Sequence, residues 1–274
     1  MKKRMFQWML AAILICGALV FTSCSSEDNP VTPDLNVAEK IQGKWIATEV
    51  NGKPVLTDSK QVLTYESPSK VLYSLSIYAI SDLNVWVDHC VGTLKLEGNT
   101  LSQSVELGDA NILLNHQMTI VSIDANEMQL ITNGETFVDG KLHRVTTDLK
   151  ERKVRVTHDY SADIIGTWEG RLTSAEDVHS DGSLHRWEYR ADGTYVYYRQ
   201  DENGQWVDDV NTMAEYFVDG PLLCTRWKNV GSDIENRESW EIASIQNGKM
   251  EWTALRQKAD GTTYTATFSM TRVE

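Results

Sequence analysis

A chain of 274 residues with 41% hydrophobic content is long enough to bury one large core or two smaller ones. Lys and Arg total 26 against 39 Asp and Glu, a formal charge of −13. That excess of acid disfavours nucleic acid as a partner and disfavours adsorption to anionic headgroups, because both need a basic face.

The chain opens Met1-Lys-Lys-Arg4, continues with an apolar run from Trp8 to Phe21 and ends that run at Thr22-Ser23-Cys24. Charged, apolar and small segments in this order read as a secretory signal peptide over residues 1–23. The apolar run is shorter than the roughly 20 residues that a membrane span requires. Phe21-Thr22-Ser23-Cys24 resembles the lipobox of bacterial lipoproteins, with Phe21 where Leu is usual. The resemblance implies that Cys24 is diacylated with a palmitate-type anchor, becomes the mature N-terminus and attaches the protein to the membrane. Loss of Lys2, Lys3 and Arg4 with the leader takes the charge from −13 to −16. Residues 24–36 then form a polar tether with Pro30 and Pro33 and no apolar surface to bury. Its acidic residues after the cysteine resemble the export signal of Bacteroidetes surface lipoproteins, which implies a lipid-anchored outer-membrane protein facing outward.

Beyond the tether the chain repeats. Ile41-Gln42-Gly43-Lys44-Trp45 is echoed by Ile165-Gly166-Thr167-Trp168, an offset of 123 residues, and Met118–Leu130 aligns without gaps on Trp240–Trp252, an offset of 122. Repeats of that size are domains rather than solenoid units, so we expect a first domain at 37–157 and a second at 162–274. A short helix is expected near Val37–Ile41. The stretch from Pro54 to Pro68 lacks a clear pattern and reads as irregular. Turn dipeptides at Asn51-Gly52, Gly98-Asn99, Asn133-Gly134 and Asp139-Gly140 break the first copy into short strands. Asp181-Gly182, Asp192-Gly193, Asn203-Gly204, Asp219-Gly220, Asn247-Gly248 and Asp260-Gly261 do the same in the second. The polar segments Lys150–Lys153 and Thr157–Ser161 mark the boundary between copies. At the end of the chain Tyr264, Ala266, Phe268 and Met270 alternate with Thr and Ser, as in a strand with one face buried. The fold expected is all-β, two tandem antiparallel up-and-down barrels.

The Gly-x-Trp of the first strand, the hairpin meander and a basic residue on the last strand resemble lipocalin-like β-barrel domains of bacterial lipoproteins. The resemblance implies that a terminal arginine packs over the first-strand tryptophan and closes the barrel. In the second copy that pair is Trp168 and Arg272; in the first it is Trp45 with Arg152, or with Arg155 as the alternative. A guanidinium on an indole face contributes about 0.5 to 2 kcal/mol.

Residues that carry chemistry are sparse. The six histidines at 89, 116, 143, 158, 179 and 185 form no pair with metal-ligand spacing. Asp88-His89-Cys90 is the densest group of ligand types, but neighbours on a strand point to opposite faces. Asp201–Gly204 and Asp208-Asp209 lack the spacing of a calcium loop and read as turns. No nucleophile elbow or phosphate loop is present, and a carboxylate pair such as Glu169 and Glu238 has no support beyond the abundance of acids. We expect no enzyme, no metal and no cofactor. Cys90 and Cys224, one in each copy, read as isolated buried thiols, with a disulfide between them as the alternative.

Six of the nine tryptophans lie in the second copy, where the aromatics are either core or ligand wall. His185, Trp187 and Tyr189 share one face of their strand, Tyr195 and Tyr197 alternate likewise on the next, and Met250, Trp252, Tyr264 and Phe268 complete the wall. His185, Trp187, Tyr189, Tyr197 and Trp252 are the ligand candidates. The expectation is a non-catalytic surface module that binds a small hydrophobic molecule or a glycan. The alternative is an accessory lipoprotein with filled barrels that docks on another outer-membrane protein.

Overall fold

The computed structural model describes residues 35–66, 85–87, 90, 92–107, 111–173, 182–208 and 211–273. Cys24 and the leader lie outside them, as do Asp88, His89 and Asp181. Among the described residues there is one helical turn, Val37–Lys40, one 3-10 turn, Thr57–Ser59, and antiparallel sheet. No helix among the described residues is long and apolar enough to cross a membrane.

The first sheet contains β1 (Gly43–Val50), β2 (Lys53–Pro54), β3 (Val62–Tyr65), β4 (Thr93–Glu97), β5 (Thr100–Leu107), β6 (Ile112–Ile123), β7 (Glu127–Val138) and β8 (Lys141–Arg155). Its order is β2-β1-β8-β7-β6-β5-β4, with β3 also on β1. The second contains β9 (Gly166–Leu172), β10 (His185–Tyr189), β11 (Tyr195–Gln200), β12 (Trp206–Asp208), β13 (Asn211–Asp219), β14 (Leu222–Asn229), β15 (Glu235–Gln246), β16 (Lys249–Gln257) and β17 (Thr263–Val273). It runs β12-β11-β10-β9-β17-β16-β15-β14-β13. Each is a meander whose last strand returns to pair with its first. In the second sheet the residue before β11 meets the edge strand β13 at a single bridge, Thr194 to Glu215, beside a bond from Tyr216 N to Gly193 O of 2.8 Å. That seam is a point contact and not a full ladder.

The pairing of last strand with first repeats atom for atom. Trp45 stands opposite Arg155 and Trp168 opposite Arg272 in register. Each guanidinium carbon lies 4.2 Å from the centre of its indole. Each indole nitrogen donates over 2.7 Å to the carbonyl four residues earlier, Ile41 or Ile164. Arg155 also donates to the carbonyls of Lys40, Gln42 and Ala125, and Arg272 to those of Asp163 and Ile165. The guanidinium thus satisfies backbone acceptors that precede the first strand while covering the ring. Gly43 (φ 109°) and Gly166 (φ 130°) are required twice over, because their backbone is left-handed and a Cβ would strike the arginine.

Four sequence expectations change. Arg155, not Arg152, covers Trp45: Arg152 is three residues away on β8, points to the other face, and pairs with Glu49 (2.9 Å) and Glu127 (2.6 Å). The stretch after Pro54 is not wholly irregular but carries β3, whose Val62, Leu63 and Tyr65 are all at least 95% buried. Burial on both faces removes the alternation that would have marked it. Asn133-Gly134 is not a turn but lies inside β7, opposite a bulge of β8 between Thr146 and Leu149, and a Cβ on Gly134 would collide with His116 and the Asn115 carbonyl. Lys150–Lys153 lies within β8, and the connection between sheets follows Arg155.

Leu35–Glu274 is one compact unit. Ile46 and Val62 from the first sheet and Leu222 and Cys224 from the second, all at most 3% exposed, share one apolar cluster with Trp86, Val154, Val156 and Phe217. Gly220 approaches so closely that a Cβ would sit 2.7 Å from Val156. Lys44 reaches across to Asp219 (2.6 Å) and to Asp159. Cys224 is buried there, which pushes its thiol well above the usual range, whereas Cys90 is buried in the first core. Neither forms a disulfide among the described residues.

Candidate functional site

Inside the second sheet lies a cavity of about 430 Å³, within the size range of small-molecule sites. Its depth is set by β10, β11, β15, β16 and β17, whose inward positions carry rings. All five ligand candidates, His185, Trp187, Tyr189, Tyr197 and Trp252, line it. Trp187 stands opposite Tyr197 in register, its ring 5.1 Å from Trp252, 5.3 Å from Phe268 and 5.4 Å from Tyr197. His185 stacks at 24° on both Trp187 and Tyr197, and its Nδ1 lies 2.7 Å from the Tyr197 hydroxyl. Met250 and Tyr264 do not line this space: Met250 is buried in the core and Tyr264 packs on it from the side, beneath Lys258.

Trp227, Trp240, Thr225 and Glu238 complete the wall and were not marked as site residues in the sequence. One signal could have found one of them: the gapless echo sets Trp240 against Met118, and Met118 has the alternation of an inward strand face. Four of the second copy's tryptophans therefore face the cavity, while Trp168 belongs to the closure and Trp206 lies on the outside, 4.2 Å from Arg186. Glu169 is also outside, bonded to Arg186 at 2.8 Å, so it shares no site with the inward Glu238.

Polar groups stand among the rings, on His185, Tyr197, Thr225, Asn229 and Glu238. Burial pushes the Tyr189 and Tyr195 hydroxyls well above their usual pKa, with the Glu238 carboxylate adding to the effect. The Tyr189 hydroxyl and the Trp252 indole nitrogen are buried without a hydrogen-bond partner among the described residues. Such groups cost about 1–3 kcal/mol when left unpaired. Glu238 is held by Arg256 at 3.2 Å, whose guanidinium lies 4.9 Å from the centre of Trp240. Among the described residues no three His, Cys, Asp or Glu side chains converge as a metal would need. Asp201 accepts the backbone N–H groups of Asn203 and Gln205, both at 2.8 Å, as a turn residue does.

A cavity of about 310 Å³ occupies the same place in the first sheet, with a different lining. Aliphatic residues including Leu63, Val105, Leu114 and Met118 surround His116, Thr132, Arg144, Glu151 and Lys153. Lys153, 4% exposed, pairs with Glu151 at 3.0 Å, and Thr132 donates to the same carboxylate at 2.5 Å. Burial opposes ionisation of Glu151, but Lys153 and Thr132 outweigh it and hold the carboxyl below its usual value. Burial lowers the His116 pKa; Glu151 pulls the other way, and Arg144 and Lys153 reinforce the burial. The folded state therefore binds a proton at His116 less readily than the unfolded chain. Its contribution is intact above the unfolded histidine pKa, about 6.5, and is lost as pH falls through the folded one. We expect the melting temperature to drop between about pH 7 and 5 by less in His116→Gln than in the wild type; equal slopes would contradict this assignment.

No protein-family model matches the chain, and no curated protein matches it in sequence. Similar solved structures include a double mutant of the vaccine antigen transferrin-binding protein B from Haemophilus parasuis Hp5, at 12% identity and TM-score 0.23 over 84% of this chain and 45% of that one. This chain thus spans less than half of that protein's length. A single mutant of the same antigen matches at 10% identity and TM-score 0.23, over 82% and 62%. An AttH-type protein from Nitrosomonas europaea matches at 11% identity and TM-score 0.24, over 83% and 91%. At these values the likeness carries nothing about function.

Proposed function

We propose that this chain is a lipid-anchored, surface-exposed lipoprotein of the outer membrane whose second domain is a non-catalytic binding module. Its ligand is a small hydrophobic molecule or the apolar face of a sugar, held between Trp187, Trp252, Phe268 and Tyr197. The observation that supports this reading is the cavity itself, about 430 Å³ walled by rings and furnished with unpaired polar tips at Tyr189 and Trp252. An ordinary small core fills such space with interlocking aliphatic side chains. A filled barrel serving only as a docking accessory would have no such space. The anchor at Cys24 rests on the order of charged, apolar and small segments before it.

Titration of tryptophan fluorescence with fatty acids, flat macrocycles and oligosaccharides tests the site. One class should quench or shift the emission saturably, and Trp187→Ala should weaken that ligand by about tenfold or more, as loss of a stacked aromatic does. If no class perturbs the wild-type signal, the binding reading fails.

A further inference from the structure

We propose that the cavity of the first sheet is a second and separate ligand site, which takes a compact oxyanion, a carboxylate or phosphate group, between Arg144, Lys153 and His116. The argument starts from the two copies of one fold. Aligned on the Trp–Arg closure, Lys153 occupies the position of Met270 and Glu151 that of Phe268. In the second sheet both positions are apolar, Met270 in the core at 3% exposed and Phe268 on the wall of the aromatic cavity at 8%. The fold therefore needs no charge there. A buried ion pair is weak evidence of stabilisation, since apolar residues of similar volume serve as well or better. Charges retained in a cavity at such positions point to recognition.

The balance of donors fixes the class of ligand. Arg144, Lys153, Thr132, Thr146, Gln61 and Gln103 all line the space and can donate. Glu151 is the one acid among the lining residues, and it already accepts from Lys153 and Thr132. The His116 Nε2 is buried and has no hydrogen-bond partner among the described residues, although burying such an atom unpaired is costly. A ligand rich in acceptors completes this set, and a planar or tetrahedral oxyanion matches an arginine fork. Gly134 stands opposite His116, and a Cβ on it would collide with both the imidazole and the Asn115 carbonyl. The long-range field works against an anion, given the net charge of −13, so an anion that enters does so for local donors and not for steering.

NMR of the full chain with labelled histidine rings, titrated separately with acetate and inorganic phosphate, tests the proposal. The His116 signal should shift saturably with at least one of the two, and its pKa should rise at saturation because the bound anion favours the imidazolium. Response to acetate alone assigns a carboxylate, to phosphate alone a phosphate, and to both a general oxyanion site. Arg144→Gln should weaken binding by about 10- to 100-fold, while Trp187→Ala leaves it unchanged. The double variant Glu151→Phe/Lys153→Met, which installs the residues of the second sheet, should fold and lose binding. Absence of a saturable shift with either anion in the wild type overturns the proposal, as does unchanged affinity in a folded Arg144→Gln or double variant.

Discussion

Replacing Trp168 by alanine is expected to cost about 3–5 kcal/mol, the range for deleting a fully buried large aromatic, and so to remove a large share of the 5–15 kcal/mol that holds a typical domain folded. Trp168 is 0% exposed. Its loss empties the base of the second core, leaves the Ile164 carbonyl without the indole donor and removes the surface on which Arg272 rests. The arginine is then free to leave the carbonyls of Asp163 and Ile165, so the turn before β9 loses its fastening too. Arg272→Lys should be milder but not neutral, because an ammonium cannot lie flat on the ring or reach two carbonyls as a fork does. Trp45→Ala should act in the same way on the first sheet, since the geometry is identical. Denaturant unfolding of the three variants reads the order directly. A Trp168→Ala protein within about 1 kcal/mol of the wild type, an ordinary surface-mutation effect, would show that the closure does not hold the sheet.

Much of this architecture was legible because hairpins announce themselves. Asn51-Gly52, Asp139-Gly140 and Asn247-Gly248 all turn the chain with positive φ at both residues, which the residue types require. The aromatic wall was legible for the same kind of reason: a strand that alternates Arg, Glu and Arg with His, Trp and Tyr has an unambiguous inside. Legibility failed where burial broke the alternation or where polar residues turned inward. Lys150-Glu-Arg-Lys153 reads as solvated, yet Glu151 and Lys153 face the first cavity, because charge in a sequence says nothing about a partner across the sheet. The choice of Arg152 over Arg155 failed on parity alone. The dipeptide Arg155-Val156, matching Arg272-Val273 at the end of the second copy, would have settled it. Nothing local in Thr57 or Asp58 could reveal their role, since it depends on strands 180 residues and more away in the chain.

Those two residues carry the remaining large effect, an expected loss of about 1–3 kcal/mol for Thr57→Val alone and more when Asp58→Ala is added. The β15–β16 ladder ends at Glu241 and Thr253. Past that point the two strands part, and the 3-10 turn of the first sheet enters between them. Thr57, 1% exposed, accepts the Leu255 N–H at 2.8 Å, and Asp58 accepts the Ser239 N–H at 2.9 Å while pairing with Arg256 at 2.6 Å. Lys60 fastens the edge to Glu241. Valine at 57 keeps the shape and removes the acceptor, so a buried amide loses its bond with no new room for water. The consequence reaches the aromatic cavity, because Arg256 also holds Glu238 and covers Trp240, both of which line it. The double variant should therefore exchange the Ser239 and Leu255 amide protons faster than the wild type, and should weaken the binding proposed for the aromatic cavity although neither altered residue lines it. If the strands instead zip together when the wedge is removed, those amides will stay protected, stability will recover and the cavity will narrow. Slow exchange with unchanged stability and unchanged affinity would mean that the first sheet only lies against the second and does not shape it.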